Sequence, residues 1–422
     1  MTHVSVARRK SRKRFAWLLQ WGATERKTGY LCTLVLVACG LFLAAFLFAT
    51  WSDFRTEAAN GRLPFWDFFA LWSYGKIAIN HPVIELYDPA ILHARALDLG
   101  MDPSRRIWFP YPPVAIFVFW PLGLMPFGAA YLVWVVATLG AFLCVLVATC
   151  SRAPVCIIGA VVAPVTTATI CYGQSGFLAA ALIIAGIRLA PCRPVCAGIL
   201  LGLLSFKPQL GLLVPIALIS AGYWRALWVS CAAVAGLIVL SVVAFGWSVW
   251  LAWIAVLLPY QAAFDIRIVH QLYLMPTVVS NLKLMGLPSS VANYAQLASA
   301  VAVVVIVGRC FYLNAGGLAV GALLVGTFLA TPHAFIYDAP MILGAMALLI
   351  EEERLRSGTF SLATILVLLL AMLFPAMMLI NYPDVPVSCL SLFLLFWIIL
   401  RQGRLLAPGG LEATAAVELR RS

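Results

Sequence analysis

The sequence predicts an all-α polytopic membrane protein with about 10–12 transmembrane helices and a helical first extracytoplasmic loop. Hydrophobic residues make up 64% of the 422 residues and charged residues only 10%, which leaves too little polar surface for a water-soluble fold. Apolar runs of roughly 15–23 residues recur, long enough to cross the hydrocarbon core of a bilayer. Basic residues gather in alternate connecting segments, as expected of cytoplasmic loops.

The basic stretch ARRKSRKRF precedes the first long apolar run, Tyr30–Thr50, in a chain with a net charge of +12. The run exceeds the length of a signal-peptide core and lacks a small-residue cleavage site, so we interpret it as the first spanning helix. The positive-inside rule then places residues 1–28 in the cytoplasm as a basic tail. Contact with anionic lipid headgroups explains these cations better than nucleic-acid binding does.

Threading the apolar segments from a cytoplasmic N-terminus gives a self-consistent topology. Most of the 28 Lys and Arg residues fall in cytoplasmic segments, and most of the 16 acidic residues fall outside. The transmembrane domain is expected to extend over 29–404, followed by a cytoplasmic tail at 405–422. Its predicted helices are 30–50, 128–150, 153–171, 175–190, 194–205, 209–222, 226–246, 291–308, 315–330, 339–350, 360–380 and 387–400.

Two extracytoplasmic segments, 51–127 and 247–290, are too long to be simple turns. Within the first, DFFALWSYGKIAIN has amphipathic character, and DPAILHARALDLG is typical of a helix that ends at Gly100. The apolar piece WFPYPPVAIFVFWPLGLMPF is bounded by prolines and is shorter than a span, so we expect an interfacial or re-entrant segment. Because the other face carries short basic turns, function is predicted on the extracytoplasmic face.

The 11 cysteines do not form a recognisable framework. Most fall in or beside apolar runs, and the sequence contains no CxxC pair, no Cys/His ligand spacing and no DxD motif. We therefore expect no disulfide framework, no metal site and no cofactor.

A single carboxylate, Asp67, lies in the aromatic stretch RLPFWDFFALWSYGKI, where its neighbours include Phe65, Trp66, Phe68, Phe69 and Trp72. One interpretation is that Asp67 caps a short helix. The other is that it is a partly desolvated carboxylate, whose raised pKa suits it to accept a proton near neutral pH. Aromatic faces also suit the apolar faces of a sugar ring, and the sequence leaves both interpretations open.

Three polar stretches at the extracytoplasmic ends of helices need an explanation, because ionisable residues at membrane depth are costly. They are CYGQSG (171–176), LSFKPQLG (204–211) and LATPHAFIYDAP (329–340). Lys207 precedes Pro208, which interrupts the helix beside a cation, so Lys207 either binds a phosphate or extends to lipid headgroups. Gln174 lies in a tight polar turn and is either an ordinary turn residue or a substrate contact.

Further candidates lie in the turn at 331–338 and before the YPP motif. His333 is a candidate to donate to a donor phosphate or a sugar hydroxyl, or a solvated turn residue. Asp338 either contacts substrate or caps and pairs locally. Arg105 and Arg106 are candidates to bind the donor phosphate or to anchor the chain at the interface, and Tyr111 is a candidate substrate contact.

The order of several stretches resembles glycosyltransferase family 87. These stretches are DFFALWSYGKIAINHPVIELYDPA, FPYPPVAIFVFWPLGLMP, GQSGFLAAALI, GLLSFKPQLGLLVPIALISAGYWRAL and ATPHAFIYDAPMIL, which extend over roughly residues 60–350. The resemblance implies a GT-C-like membrane enzyme that transfers a sugar, typically mannose, from a polyprenyl-phosphate donor. None of the stretches is specific alone, so their order and spacing carry the resemblance.

The resemblance implies that Asp67 is the catalytic acid–base residue, and that Lys207 and the turn 331–338 line the donor pocket. We expect a single displacement that inverts the anomeric centre. In it Asp67 accepts the proton of the acceptor hydroxyl, while Lys207 binds the leaving phosphate, helped by Arg105, Arg106 or His333. His333 stands where many relatives are expected to have an aromatic residue.

The expected partners are a polyprenyl-phosphate sugar, a glycolipid or glycan acceptor, and membrane lipids, with no nucleic acid. The expected location is the inner (plasma) membrane, with both termini cytoplasmic and the active site facing the periplasm or exterior. A transporter is an alternative, but it predicts an internal repeat, which the sequence does not show. A second alternative is a ligase that transfers a lipid-diphosphate oligosaccharide rather than a monosaccharide.

Overall fold

The computed structural model describes residues 67–150, 153–267, 272–313, 316–357, 367–371 and 387–403, besides isolated residues before position 67. Throughout these ranges the regular secondary structure is helical, and no strand occurs in them. This confirms the predicted all-α class. Most of the predicted first helix and most of the predicted helix at 360–380 lie outside the described residues, as do both predicted tails.

Helices of 7 to 24 residues follow one another along the chain. In chain order they are α1 (Asp67–Asn80), α2 (Pro89–Asp98), α3 (Ile116–Gly123), α4 (Phe127–Thr149), α5 (Ala153–Val162), α6 (Pro164–Tyr172), α7 (Gly176–Leu189), α8 (Pro194–Leu203), α9 (Val214–Ser220), α10 (Trp224–Phe245), α11 (Trp247–Arg267), α12 (Val278–Leu284), α13 (Ser289–Tyr312), α14 (Gly316–Ala330), α15 (Pro340–Ser357) and α16 (Val387–Gln402). Short 3₁₀ helices lie at Val83–Tyr87, Pro113–Ala115, Leu204–Phe206, Pro208–Gly211 and Ile336–Asp338.

Three helices in the described ranges, α4, α10 and α13, are long and apolar enough to cross a membrane. The pair α6 and α7 meets the same criteria together, but it is bent by 117° between its two halves. These helices establish a multi-pass membrane protein. The larger predicted number of spans includes shorter apolar helices and segments outside the described ranges, so that number stays a prediction.

The first predicted loop is helical where the structure describes it. Asp88 caps α2, since its Oδ1 accepts from the backbone N–H of Ala90 at 2.9 Å and of Ile91 at 3.1 Å. The chain then leaves α2 through Gly100, whose φ is +95°. Helix α3 has 8 residues, fewer than a span needs, as expected for the proline-bounded apolar piece.

Two predicted helices and one predicted loop differ from the observed structure. The helix predicted at 153–171 is divided into α5 and α6 at Pro164, because proline cannot continue the hydrogen-bond pattern of a helix. The helix predicted at 209–222 opens with the 3₁₀ turn Pro208–Gly211 and becomes α-helical only at α9. Helix α11 lies in the segment 247–290, which the sequence predicts to be a long extracytoplasmic loop, so this prediction is corrected.

Helices α7 and α14 form the centre of the described fold. From Leu318 to Ala330 every residue of α14 is buried, and α7 is almost as completely enclosed. Helix α14 packs against α13, α15 and α16, while α7 packs against α4 and α8. The spans α4, α10 and α13 expose most of their apolar side chains, which suits contact with lipid. The polar turn before α7 and the polar turn after α14 each lie at an end of one of these central helices.

Candidate functional site

The polar stretches singled out in the sequence meet at one place, although they are far apart along the chain. They are the elbow between α6 and α7, the 3₁₀ turns between α8 and α9, and the turn between α14 and α15. The N-terminal end of α1 joins them through Asp67. Side-chain hydrogen bonds of Gln174, Lys207 and Thr169 connect these elements across 107, 131 and 168 residues of sequence.

Asp67 contacts the elbow through Gln174, whose Nε2 donates to Asp67 Oδ2 at 3.0 Å. The donor of this hydrogen bond therefore lies between α6 and α7, and not in the backbone of α1. The carboxylate is half-buried, and its removal from water raises the pKa of Asp67 above its ordinary value. The hydrogen bond from Gln174 and the charges of Lys207 and Arg105 oppose that rise.

The elbow depends on Gly173, which ends α6 with φ +64°. A Cβ atom at this position would lie 2.4 Å from Cβ of Phe68, the residue that follows Asp67. Helix α4 fixes the elbow from the other side, because Nε1 of Trp134 donates to the carbonyl of Gly173 at 2.9 Å. Glycine therefore allows the elbow to approach α1 closely enough for Gln174 to reach Asp67.

Lys207 lies between two 3₁₀ turns, and the predicted interruption at Pro208 is confirmed. Its Nζ is 2.5 Å from Oδ1 of Asp338, and the two side chains are only 3% and 0% exposed. The same amino group lies 5.1 Å from the centre of the Tyr337 ring. Extension of Lys207 to the lipid headgroups, the alternative interpretation of its sequence, does not occur here: its charge is buried and paired.

Asp338 makes one local contact and one long-range contact, and its predicted contact with substrate stays a prediction. Its Oδ2 accepts from the backbone N–H of Phe335 at 3.1 Å, so both carboxylate oxygens have partners. The rings of Phe335 and Tyr337 stack with their centres 4.9 Å apart. His333 lies in the same turn, half-buried, and its backbone N–H donates to Oγ1 of Thr331 at 3.3 Å. The pair with Lys207 thus holds the turn that carries His333.

The residues around the YPP motif are placed differently. Arg105 is exposed but close enough to Asp67 for its charge to lower the pKa of that carboxyl. Arg106 is also exposed, and no described hydrogen bond or ion pair joins it to the Lys207–Asp338 pair. Tyr111 packs its ring against Phe119, with centres 5.2 Å apart, in an aromatic cluster beside α1. The substrate-contact and phosphate-binding assignments of these three residues stay predictions.

The chemistry available at this site is that of a carboxylate and several cations. Among the described residues, no group of three or more His, Cys, Asp or Glu side chains is arranged to hold a metal ion. Two buried polar atoms of the elbow, Gln174 Oε1 and Ser175 Oγ, have no hydrogen-bond partner in the described part of the chain. Sequence analysis selected Gln174 but not its contact with Asp67, and it missed Ser175 and the supporting role of Trp134.

Comparison with known proteins identifies the family. A model of glycosyltransferase family 87 matches residues 108–332, which is more than half of the chain. This range is narrower than the resemblance over roughly 60–350, and the site residues outside it are Asp67, Arg105, Arg106, His333 and Asp338. No curated protein and no solved structure matches the chain significantly. The matched range and the multi-pass helical fold agree: the chain belongs to glycosyltransferase family 87 and is a membrane glycosyltransferase.

Proposed function

We propose that the protein transfers a hexose, with mannose as the first sugar to test, from a polyprenyl-phosphate donor to an extracytoplasmic acceptor, and that Asp67 is the general base. One observation carries this proposal. A half-buried carboxylate, whose pKa burial raises, is held by Gln174 at the junction of the helix ends. A carboxylate with a raised pKa is better matched to proton transfer near neutral pH than an exposed one.

In the proposed reaction, an acceptor hydroxyl attacks the anomeric carbon of the donor as its proton passes to Asp67. The new C–O bond forms on the face opposite the phosphate, and the C–O bond to the phosphate breaks with its electron pair leaving on oxygen. The anomeric centre is therefore inverted, through an oxocarbenium-like transition state. Nearby fixed cations stabilise the phosphate as it leaves.

Arg105 and Lys207 have different parts in this scheme. Lys207 is already neutralised by Asp338 at 2.5 Å, so its main contribution is to hold the turn that carries His333. Arg105 is exposed and acts electrostatically on Asp67, which places a cation beside the reacting groups. We therefore assign the principal phosphate contact to Arg105, with Lys207, Arg106 and His333 in support.

The test is transfer of radiolabel from polyprenyl-phosphate mannose in membranes that contain the wild type, D67N or D98N. Asp98 is an exposed aspartate of α2, so D98N makes the same chemical change in the same loop. General-base assistance contributes about 10²–10⁴-fold, and D67N should lose a factor in that range while D98N keeps wild-type activity.

Monodispersity in detergent shows whether D67N remains folded. Equal transfer by wild type and folded D67N would exclude Asp67 as the base and would direct attention to His333. If the wild type consumes no polyprenyl-phosphate mannose, the donor assignment is wrong, and other polyprenyl-phosphate sugars and lipid-diphosphate oligosaccharides are the next donors to test.

A further inference from the structure

The two polar atoms of the Gln174 amide have different surroundings. Nε2 donates to Oδ2 of Asp67 at 3.0 Å. Oε1 is buried, and it has no hydrogen-bond partner among the described residues. The residue as a whole is only 6% exposed. An ionised carboxylate can only accept hydrogen bonds, so the NH₂ group must face Asp67 and Oε1 must point to another partner.

We propose that Gln174 positions the carboxylate of Asp67 and accepts, through Oε1, a hydrogen bond from an acceptor hydroxyl next to the one that reacts. This inference rests on the proposed function, because it assumes that Asp67 takes a proton from the acceptor. It adds a substrate requirement: the acceptor is a sugar that carries two neighbouring hydroxyls.

The backbone around Gln174 is fixed on both sides, so its amide is held in one orientation. Before it, Gly173 packs on Phe68, and its carbonyl accepts from Trp134. After it, Gly176 packs so closely on the turn 331–338 that a Cβ atom would lie 1.9 Å from the Tyr337 carbonyl oxygen. A side chain fixed in this way can direct a carboxylate without itself being ordered by substrate.

The unpartnered oxygen indicates that a ligand supplies a donor. Buried carbonyl oxygens in folded proteins almost always have a partner, and those without one need an explanation. Asp67 Oδ2 and Gln174 Oε1 are two acceptors separated by a single amide group. Neighbouring hydroxyls on a sugar ring present two donors on adjacent carbons, so one ring can engage both acceptors.

The charged groups around Asp67 determine how the pH dependence should respond. Burial raises the pKa of Asp67, and Asp338 adds to the rise. The hydrogen bond from Gln174 and the charges of Lys207 and Arg105 lower it, and Tyr172 also interacts with Asp67. Loss of the hydrogen bond therefore raises the pKa of Asp67 and moves the acidic limb of the pH–rate profile to higher pH.

The experiment compares the pH–rate profiles of wild type, Q174L, Q174E and Q296L with polyprenyl-phosphate mannose and the acceptors of native membranes. Gln296 is a matched control, since it is 5% exposed and its described hydrogen bonds join structural groups, the N–H of Val279 and the carbonyl of Leu329. Q174L should move the acidic limb upward. Q174E, which keeps the shape but adds a negative charge beside Asp67, should move it further, and Q296L should leave it in place.

The substrate contact is tested by kinetics at saturating donor and at a pH above the acidic limb. We expect Q174L to lower the rate about tenfold, as for the loss of one hydrogen bond, with the KM for polyprenyl-phosphate mannose unchanged. A raised KM for the donor would mean that Oε1 contacts a hydroxyl of the donor sugar, and this would overturn the acceptor contact. An undiminished rate in Q174L would overturn it as well.

Unshifted limbs in both Q174L and Q174E would overturn the positioning role. Because Q174E is nearly isosteric with the native side chain, it keeps the test decisive if Q174L fails to fold. If wild type transfers mannose and D67N does not, an unshifted limb rejects this inference alone and leaves the proposed function standing.

Discussion

The Lys207–Asp338 pair is the most enclosed charge contact at the site. Removing two charges from water is costly, and here the cost is offset by a 2.5 Å contact, the Tyr337 ring and the Phe335 N–H. Loss of one partner leaves the other buried without an opposite charge. We therefore expect K207M and D338N each to destabilise the protein by about 3–5 kcal/mol, measured by unfolding in detergent.

Two comparisons make this expectation specific. In the double variant K207M/D338L no buried charge remains, so it should be more stable than either single variant. The partly exposed Arg95–Glu85 pair, at 3.0 Å with side chains 34% and 18% exposed, is the control, and E85Q should cost no more than about 1 kcal/mol. A double variant less stable than both single variants would contradict the argument, because it would mean that packing and not charge limits this site.

At the scale of elements, the elbow between α6 and α7 depends on glycine for two separable reasons. Gly173 has a positive φ, and it also has no room for a Cβ beside Phe68. Gly222 has a φ of +72° but nothing within 4 Å of an added Cβ. G222A should therefore cost only the conformational term of about 1–2 kcal/mol.

G173A should lose a further 1–3 kcal/mol or so from overpacking, and transfer activity as well, because the elbow must move away from Asp67. Thermal unfolding in detergent and the mannose-transfer assay measure the two effects. Equal losses of stability in G173A and G222A would show that the elbow tolerates a methyl group, and the close approach to Phe68 would then not be needed to position Gln174.

Local sequence signals predicted the elements better than their contacts. The helix in DPAILHARALDLG and the interruption at Pro208 depend on residues within a few positions, and both predictions are confirmed. The approach of α1 to α3 could not be predicted, since an added Cβ at Gly75 would lie 2.1 Å from the carbonyl oxygen of Phe119, 44 positions away. Nothing in the periodicity of either helix specifies that partner.

In the whole molecule, too, the residues of the site could be predicted from the sequence better than the contacts between them. Asp67, Gln174, Lys207 and Asp338 could each be selected from the sequence, because a polar residue in an apolar chain needs a reason. The pairing of Asp67 with Gln174 and of Lys207 with Asp338 could not, because each bond joins elements more than 100 positions apart. The family match also begins after Asp67, so it does not supply that pairing.

The distribution of charge over the whole molecule predicts its orientation. Helix α7 leads from the elbow to Arg188, and the chain returns through α8 to Lys207, so the turn at 190–193 lies at the opposite end of this hairpin from the site. Arg309, near the end of α13, lies one helix, α14, away from the site turn 331–338. The positive-inside rule therefore predicts that these basic ends face the cytoplasm and that the site faces the exterior or periplasm.

Thiol labelling tests this orientation with two matched positions. Cys192 is exposed in the basic turn, and Ser104 is exposed beside Arg105 on the side of the site. In a background without the other cysteines, S104C should react with a membrane-impermeant maleimide in spheroplasts, and Cys192 only after the cytoplasmic side is opened. The reverse pattern would place the site in the cytoplasm, where the acceptor would have to be cytoplasmic too. Reaction of both positions in sealed spheroplasts would show that the elbow and the basic turn are not separated by the membrane, and the bent pair α6 and α7 would then be a re-entrant loop.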